Sequence, residues 1–178
     1  YAPAESLELG EVGGMLSRGG VQSMFFTQAI VILALSLGGL LTALGILPAL
    51  LSGIKDTLTN SGRAIFAAAM SALSINVLIG EQYLSILLSG TAFRSTFERL
   101  HLHPKNLSRT IEDAGTVINP LVPWSVCGVF ISQALGVPVL DYLPYAFFCY
   151  LSLLLTLLFG FTGLTISRVE KEGKVVEA

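Results

Sequence analysis

From Met24 to Leu51 the chain reads "MFFTQAIVILALSLGGLLTALGILPALL" without one charged side chain. At about 1.5 Å of rise per residue, about 20 residues of helix cross a hydrocarbon core of about 30 Å, so this run can tilt, or end early at Gly45 or Pro48, and still span. Three further blocks are mostly apolar: Ala64 to Leu88, Val117 to Val137 and Tyr142 to Ile166. The 178 residues are 53% hydrophobic and 12% charged, with the apolar residues gathered into blocks, which is a membrane-protein composition. The expected fold is therefore an all-α membrane protein. It has about four transmembrane helices, at 24–51, 64–88, 117–137 and 142–166, between a membrane-flanking segment 1–23 and a charged tail 167–178.

Net charge is only −2 and the basic residues are not interleaved with aromatics, which removes nucleic acid from the expected partners and leaves the lipid bilayer. The chain starts at Tyr1 with no leader pattern, the expectation for a piece of a longer protein or a processed one. Cys127 and Cys149 lie in separate blocks without metal spacing and read as small buried hydrophobes. His101 and His103 sit in a loop beside Pro104 without further ligand types, a poor metal site. The tail "SRVEKEGKVVEA" alternates charges and reads as a solvated end.

If all four blocks cross, one side carries Arg18, Arg94, Arg99, Lys105, Arg109, Arg168, Lys171 and Lys174, and the other only Lys55 and Arg63. By the positive-inside rule the loop 89–112 and the C-terminus are cytoplasmic, in a multi-pass protein of the cell (inner) membrane. A re-entrant block two or three would break that parity.

The chemistry concentrates in "SRTIEDAGTVINPLVPWSVCG", residues 108–128. One reading is structural: Ser108 or Thr110 caps a helix, and Glu112 and Asp113 in its first turn complement the dipole, with Arg109 close enough to pair with either. The other begins from Gly115, Pro120 and Pro123, which interrupt a helix. Backbone opened at membrane depth must line a polar cavity or be covered by protein, and secondary transporters build cation sites from such breaks. Asp113, Thr116 and Asn119 then offer the hard oxygen ligands that Na⁺ takes.

Block two holds a second polar set, Asn76, Glu81 and Ser85, spaced to share roughly one helical face. An ionised Glu81 at a helix centre costs roughly 2.5–3.5 kcal/mol, so it needs a partner, a cavity or a proton, unless it lies near the cytoplasmic end and snorkels to water. Gly80 beside it is a possible further opening.

The stretches "NLSRTIEDAGTVINPLVPWSVCGVFI" and "LGVPVLDYLPYAFFCYLSLL" resemble the C-terminal part of the NhaC family of Na⁺/H⁺ antiporters, which includes malate/lactate antiporters. "RGGVQSM" at 18–24 and "GEQYLSILLSGTAFR" at 80–94 are similar to further segments of that family, so the likeness extends from about 18 to 166. The resemblance implies a carrier of two related halves in opposite orientation, of which this chain is the second. The missing N-terminal half would be its partner, an oligomer is possible, and a half alone would be inactive.

The implied mechanism is competition: a buried carboxylate, Asp113 by preference, takes Na⁺ or H⁺ but not both. Adjacent helical positions point about 100° apart, which gives Glu112 to Arg109 and Asp113 to the cavity. No cofactor is expected, since Na⁺ and H⁺ are cargo. A malate/lactate exchanger would need a carboxylate clamp, for which Arg109, Arg18 and the half-helix after Pro120 are the candidates. An intramembrane hydrolase lacks its nucleophile and base, and a structural subunit of a larger complex is the remaining alternative.

Overall fold

A computed structural model describes residues 20–46, 49, 58–169 and 175–177. In chain order the helices are α1 (Gly20–Ser23), α2 (Phe25–Ala43), α3 (Ser61–Ile79), α4 (Gln82–Arg99) and α5 (Pro104–Ile111). α5 passes into a π-helical turn (Glu112–Thr116) and a 3-10 turn (Asn119–Leu121), followed by α6 (Val126–Leu135), α7 (Val139–Tyr142), a second 3-10 turn (Leu143–Tyr145) and α8 (Phe147–Thr162). α2 and α3 are each long and apolar enough to cross a membrane; α5 with α6, bent by 43°, and α7 with α8, bent by 57°, each qualify as one broken span. Pro48, Arg18, Lys55, Lys171 and Lys174, which entered the sequence reading, lie outside the described residues.

α3 is the central helix. Ala64, Ala68, Ala69 and Ala72 are fully buried, small enough to let neighbouring helices close on it. Gly160 of α8 is pressed so close that a Cβ there would lie 2.8 Å from Ile65 Cγ2. α2 is peripheral and exposes Phe25, Phe26, Ile32, Leu33 and Leu40, as a lipid-facing helix does.

Block two is two helices. Gly80 takes φ +77°, a left-handed conformation that ends α3, and Glu81 Oε2 accepts the Leu84 N–H at 2.9 Å to start α4. α4 folds back along α3: Ser85 Oγ donates to Ala72 O at 2.5 Å, and Arg99 Nη2 to Leu58 O at 3.1 Å. Asn76, Glu81 and Ser85 therefore do not share one helical face; they come from two helices and the turn between them.

The helix of block three starts well before its apolar run. His103 Nδ1 accepts the Lys105 N–H and Pro104 holds the first helical position. Neither Ser108 nor Thr110 is a cap: Ser108 is exposed, and Thr110 Oγ1 donates to Asn106 O at 2.7 Å inside α5. Glu112 and Asp113 thus lie within the broken span, at the C-terminal side of α5.

The tail is not wholly a solvated end. β1 (Ser167–Val169) pairs antiparallel with β2 (Val175–Glu177), a small departure from an all-α chain. Ser167 is buried, and its carbonyl accepts from His103 N at 3.0 Å and Asn106 Nδ2 at 2.7 Å. These bonds gather the start of α3 and α5, the end of α4 and β1 at one end of the molecule. Toward it lie Arg63, Arg94, Arg99, Lys105, Arg109 and Arg168. At the other end Thr27 Oγ1 of α2 donates to Gln133 Oε1 beside the end of α6. α6, 10 residues or about 15 Å long, runs on past the tip of the α3–α4 hairpin.

Candidate functional site

The two breaks meet. Val126 N, at the start of α6, donates to Gly80 O at 3.0 Å, and Trp124 Nε1 donates to Val77 O at 2.7 Å. A Cβ on Gly80 would lie 3.0 Å from Trp124 O, so the contact needs glycine twice over, for its φ and for its size.

Behind that contact an amide pair locks the segments. Pro120 has no N–H to give the preceding turn. Asn76 Nδ2 supplies a donor there, 2.5 Å from Gly115 O, while Asn76 Oδ1 accepts from Asn119 Nδ2 at 2.6 Å. Asn119 Oδ1 accepts the Cys127 N–H at 3.2 Å, and its carbonyl accepts from Ser125 Oγ at 2.6 Å. Ser125 Oγ in turn accepts the Gly128 N–H at 2.9 Å and so caps α6. Asn76, Asn119 and Ser125 are fully buried. Leaving one such group without a partner costs about 1–3 kcal/mol, so the set holds the breaks in one geometry. Ser85 Oγ lies 3.1 Å from where a Gly115 Cβ would be, and Pro120 O accepts from Tyr142 Oη at 2.6 Å. Pro123 is exposed in the bend before α6.

On the other face of the π turn Asp113 meets α8. Its Oδ1 accepts from Ser152 Oγ at 2.5 Å and its Oδ2 from Thr156 Oγ1. The π turn, closed by Val117 N donating to Glu112 O at 3.1 Å, widens the helix where Gly115 and Asp113 face different neighbours. Glu112 is exposed. Arg109 does not pair with it: the guanidinium lies 5.6 Å from the Phe159 ring centroid, its Nη1 donates to Thr165 Oγ1 at 3.3 Å, and its Nε is buried without a partner among the described residues. Among the described residues the ion pair is Arg94 with Glu98, at the surface.

Asp113, Thr116 and Asn119 bond in different directions: Asp113 to α8, Asn119 to α3 and α6, while the buried Thr116 Oγ1 has no partner among the described residues. Glu81 is buried at the hairpin tip where the breaks meet, at the opposite end of α4 from Arg99. Sequence reasoning missed Ser152, Thr156 and Ser125. The signal for the first two was an i, i+4 hydroxyl pair on one face of an otherwise Leu- and Phe-rich helix. Among the described residues no three His, Cys, Asp or Glu side chains form a metal-binding group.

A family model described as the Na⁺/H⁺ antiporter family matches residues 2–164. The chain is 47% identical over 92% of its length to the Na⁺/H⁺ antiporter NhaC of Alkalihalophilus pseudofirmus, covering 36% of that protein. It is 42% identical over 85% of its length to the arginine/ornithine antiporter ArcD of Halobacterium salinarum, covering 31% of it. Against the malate-2H⁺/Na⁺-lactate antiporter of Bacillus subtilis the figures are 32% over 85%, covering 32%. The chain spans about a third of the length of these relatives. No solved structure matches.

Proposed function

The chain belongs to the Na⁺/H⁺ antiporter family, and from that premise we propose that it forms part of a carrier that exchanges Na⁺ for H⁺ across the cell membrane. The carrier's remaining length, including an inverted N-terminal half, completes the pathway between the halves. The observation that carries the reading is Asp113, a carboxylate inside a broken span whose oxygens, among the described residues, meet the hydroxyls of Ser152 and Thr156 while Arg109 turns toward Thr165 and Phe159. A negative charge at that depth calls for a compensating cation or a proton, and a carboxylate loaded with one excludes the other. Asn76, Asn119, Ser85, Gly115 and Pro120 brace the breaks around it, and Glu81 holds the hairpin tip.

Orientation follows from the basic end. Arg63, Arg94, Arg99, Lys105, Arg109 and Arg168 would lie in or near the cytoplasm, with the C-terminus. The α3–α4 hairpin then enters from the cytoplasmic side and returns to it.

A second reading is an exchanger of organic ions, favoured by the names of two relatives, for arginine/ornithine and for malate/lactate. Inverted vesicles holding the full-length carrier test both, with lumenal pH followed by a fluorescent dye. Addition of Na⁺ is expected to raise lumenal pH, Asp113→Asn to abolish the response and Glu112→Gln to keep it. Loss with Glu112→Gln but not with Asp113→Asn would sink the assignment. Silence with Na⁺ and a response to malate against lactate, or arginine against ornithine, would move the carrier to the second reading.

A further inference from the structure

Several hydroxyls inside the helices of this chain turn back onto their own backbone. Ser36 donates to Ile32 O, Thr42 to Gly38 O, Thr91 to Leu87 O, Thr110 to Asn106 O and Thr162 to Leu158 O, each four residues back. Ser152 and Thr156 do not, and unlike Ser85, which donates to a backbone carbonyl of α3, they meet a carboxylate. They stand one turn apart on α8, and each donates across the helix contact to a different oxygen of Asp113. Thr156 is only 3% exposed, so its hydroxyl is placed by packing rather than by solvent.

We propose that the Na⁺ taken by Asp113 is held also by the hydroxyl oxygens of Ser152 and Thr156, which makes α8 a ligand-bearing helix of the exchange site. The proposal rests on the reading of Asp113 as the exchanging carboxylate. A hydroxyl has one proton and two lone pairs, and it rotates freely about its C–O bond. Toward the empty carboxylate it donates. Toward a cation seated beside the carboxylate it turns a lone pair inward, supplying the hard oxygen that a small alkali cation takes. When Asp113 is protonated, its own O–H donates to one of the two hydroxyls. One arrangement thus serves the empty, proton-loaded and Na⁺-loaded forms.

The test is Na⁺-driven proton movement by the full-length carrier, titrated with Na⁺ and with Li⁺. Ser152→Ala and Thr156→Val are each expected to raise the apparent KM for Na⁺ by about tenfold or more, the scale of one lost contact to a charged partner, while the rate at saturating Na⁺ falls far less. Thr156→Ser keeps the oxygen and is expected to restore the parental KM. Ser152→Cys keeps the size but offers soft sulfur, so its KM should rise and its Na⁺ to Li⁺ preference shift. Should Thr156→Val fail to accumulate in the membrane, the Ser152→Cys and Thr156→Ser pair carries the test. Unchanged KM and ion preference in the Ser152 variants, with Asp113→Asn inactive, would overturn the role of α8 alone. Exchange surviving in Asp113→Asn would overturn the parent reading and this one together.

Discussion

Asn76 occupies a position where an apolar side chain of equal size would leave two buried groups stranded, the carbonyl of Gly115 and the amide of Asn119. Asn76→Ala should therefore destabilise the full-length carrier by about 2–4 kcal/mol, from two buried groups losing their partner. Thermal unfolding in detergent reads this, and a loss no greater than that of Ser108→Ala, an exposed position, would show that the amide pair carries no weight. Asn76, Ser85, Asn119 and Asp113 could be singled out in the sequence because polar side chains are rare in these blocks. The i, i+4 spacing of Ser152 and Thr156 was visible, but nothing local told a bond across to Asp113 from a bond back to the same helix, which Thr162 of α8 makes. Arg109 shows the reverse error. Its spacing allowed a pair with Glu112, but α8 offered an aromatic face and a hydroxyl instead.

At the scale of elements, the site depends on where helices stop. Pro120 marked one stop in the sequence for a local reason, a missing N–H, and the 3-10 turn at Asn119–Leu121 lies there. The second stop, at Gly80, was only one glycine among many until its carbonyl met Val126 N and its face met Trp124. Gly80→Val adds a β-branched side chain at positive φ, costing about 1–2 kcal/mol before any clash with Trp124 O. It is expected to separate the two breaks, lowering both exchange and melting temperature. Gly39→Ala, where nothing lies within 4 Å of a new Cβ, is the matched control and should change neither. Equal behaviour of the two variants would mean that contact between the breaks is dispensable. The early start of α5 escaped the hydropathy pattern because transfer energy is indifferent to caps. His103, Pro104 and the bonds from Asn106 to Ser167 set that start, and they draw on a tail 61 residues away.

For the whole molecule the hairpin changes the count of sides. A single crossing over 64–88 would separate Arg63 from Arg94, whereas the folded-back α4 returns to the end where α3 begins. In full-length carrier freed of other reactive thiols, Arg63→Cys and Lys105→Cys are expected to react with a membrane-impermeant maleimide from the cytoplasmic side only, and Gly136→Cys from the opposite side only. Labelling of Arg63→Cys from the side of Gly136→Cys would restore the crossing and refute the re-entrant hairpin. The faces that α2 and α8 expose, with Phe25, Phe26, Phe147, Phe148 and Phe161 among them, suit lipid or the remaining length of the carrier.

What the sequence determined by itself follows from short-range and solvent physics. Uncharged runs long enough for a bilayer, a proline that withholds an amide, and carboxylates too costly to bury without a purpose are all legible one segment at a time. Tertiary structure alone decided which breaks face each other, that Asn76 reaches across 39 residues to Gly115, and that the hydroxyls on Asp113 come from the last helix. Those contacts depend on side chains distant in the chain meeting at angstrom range, and such meetings are set by how helices pack rather than by what any one of them contains.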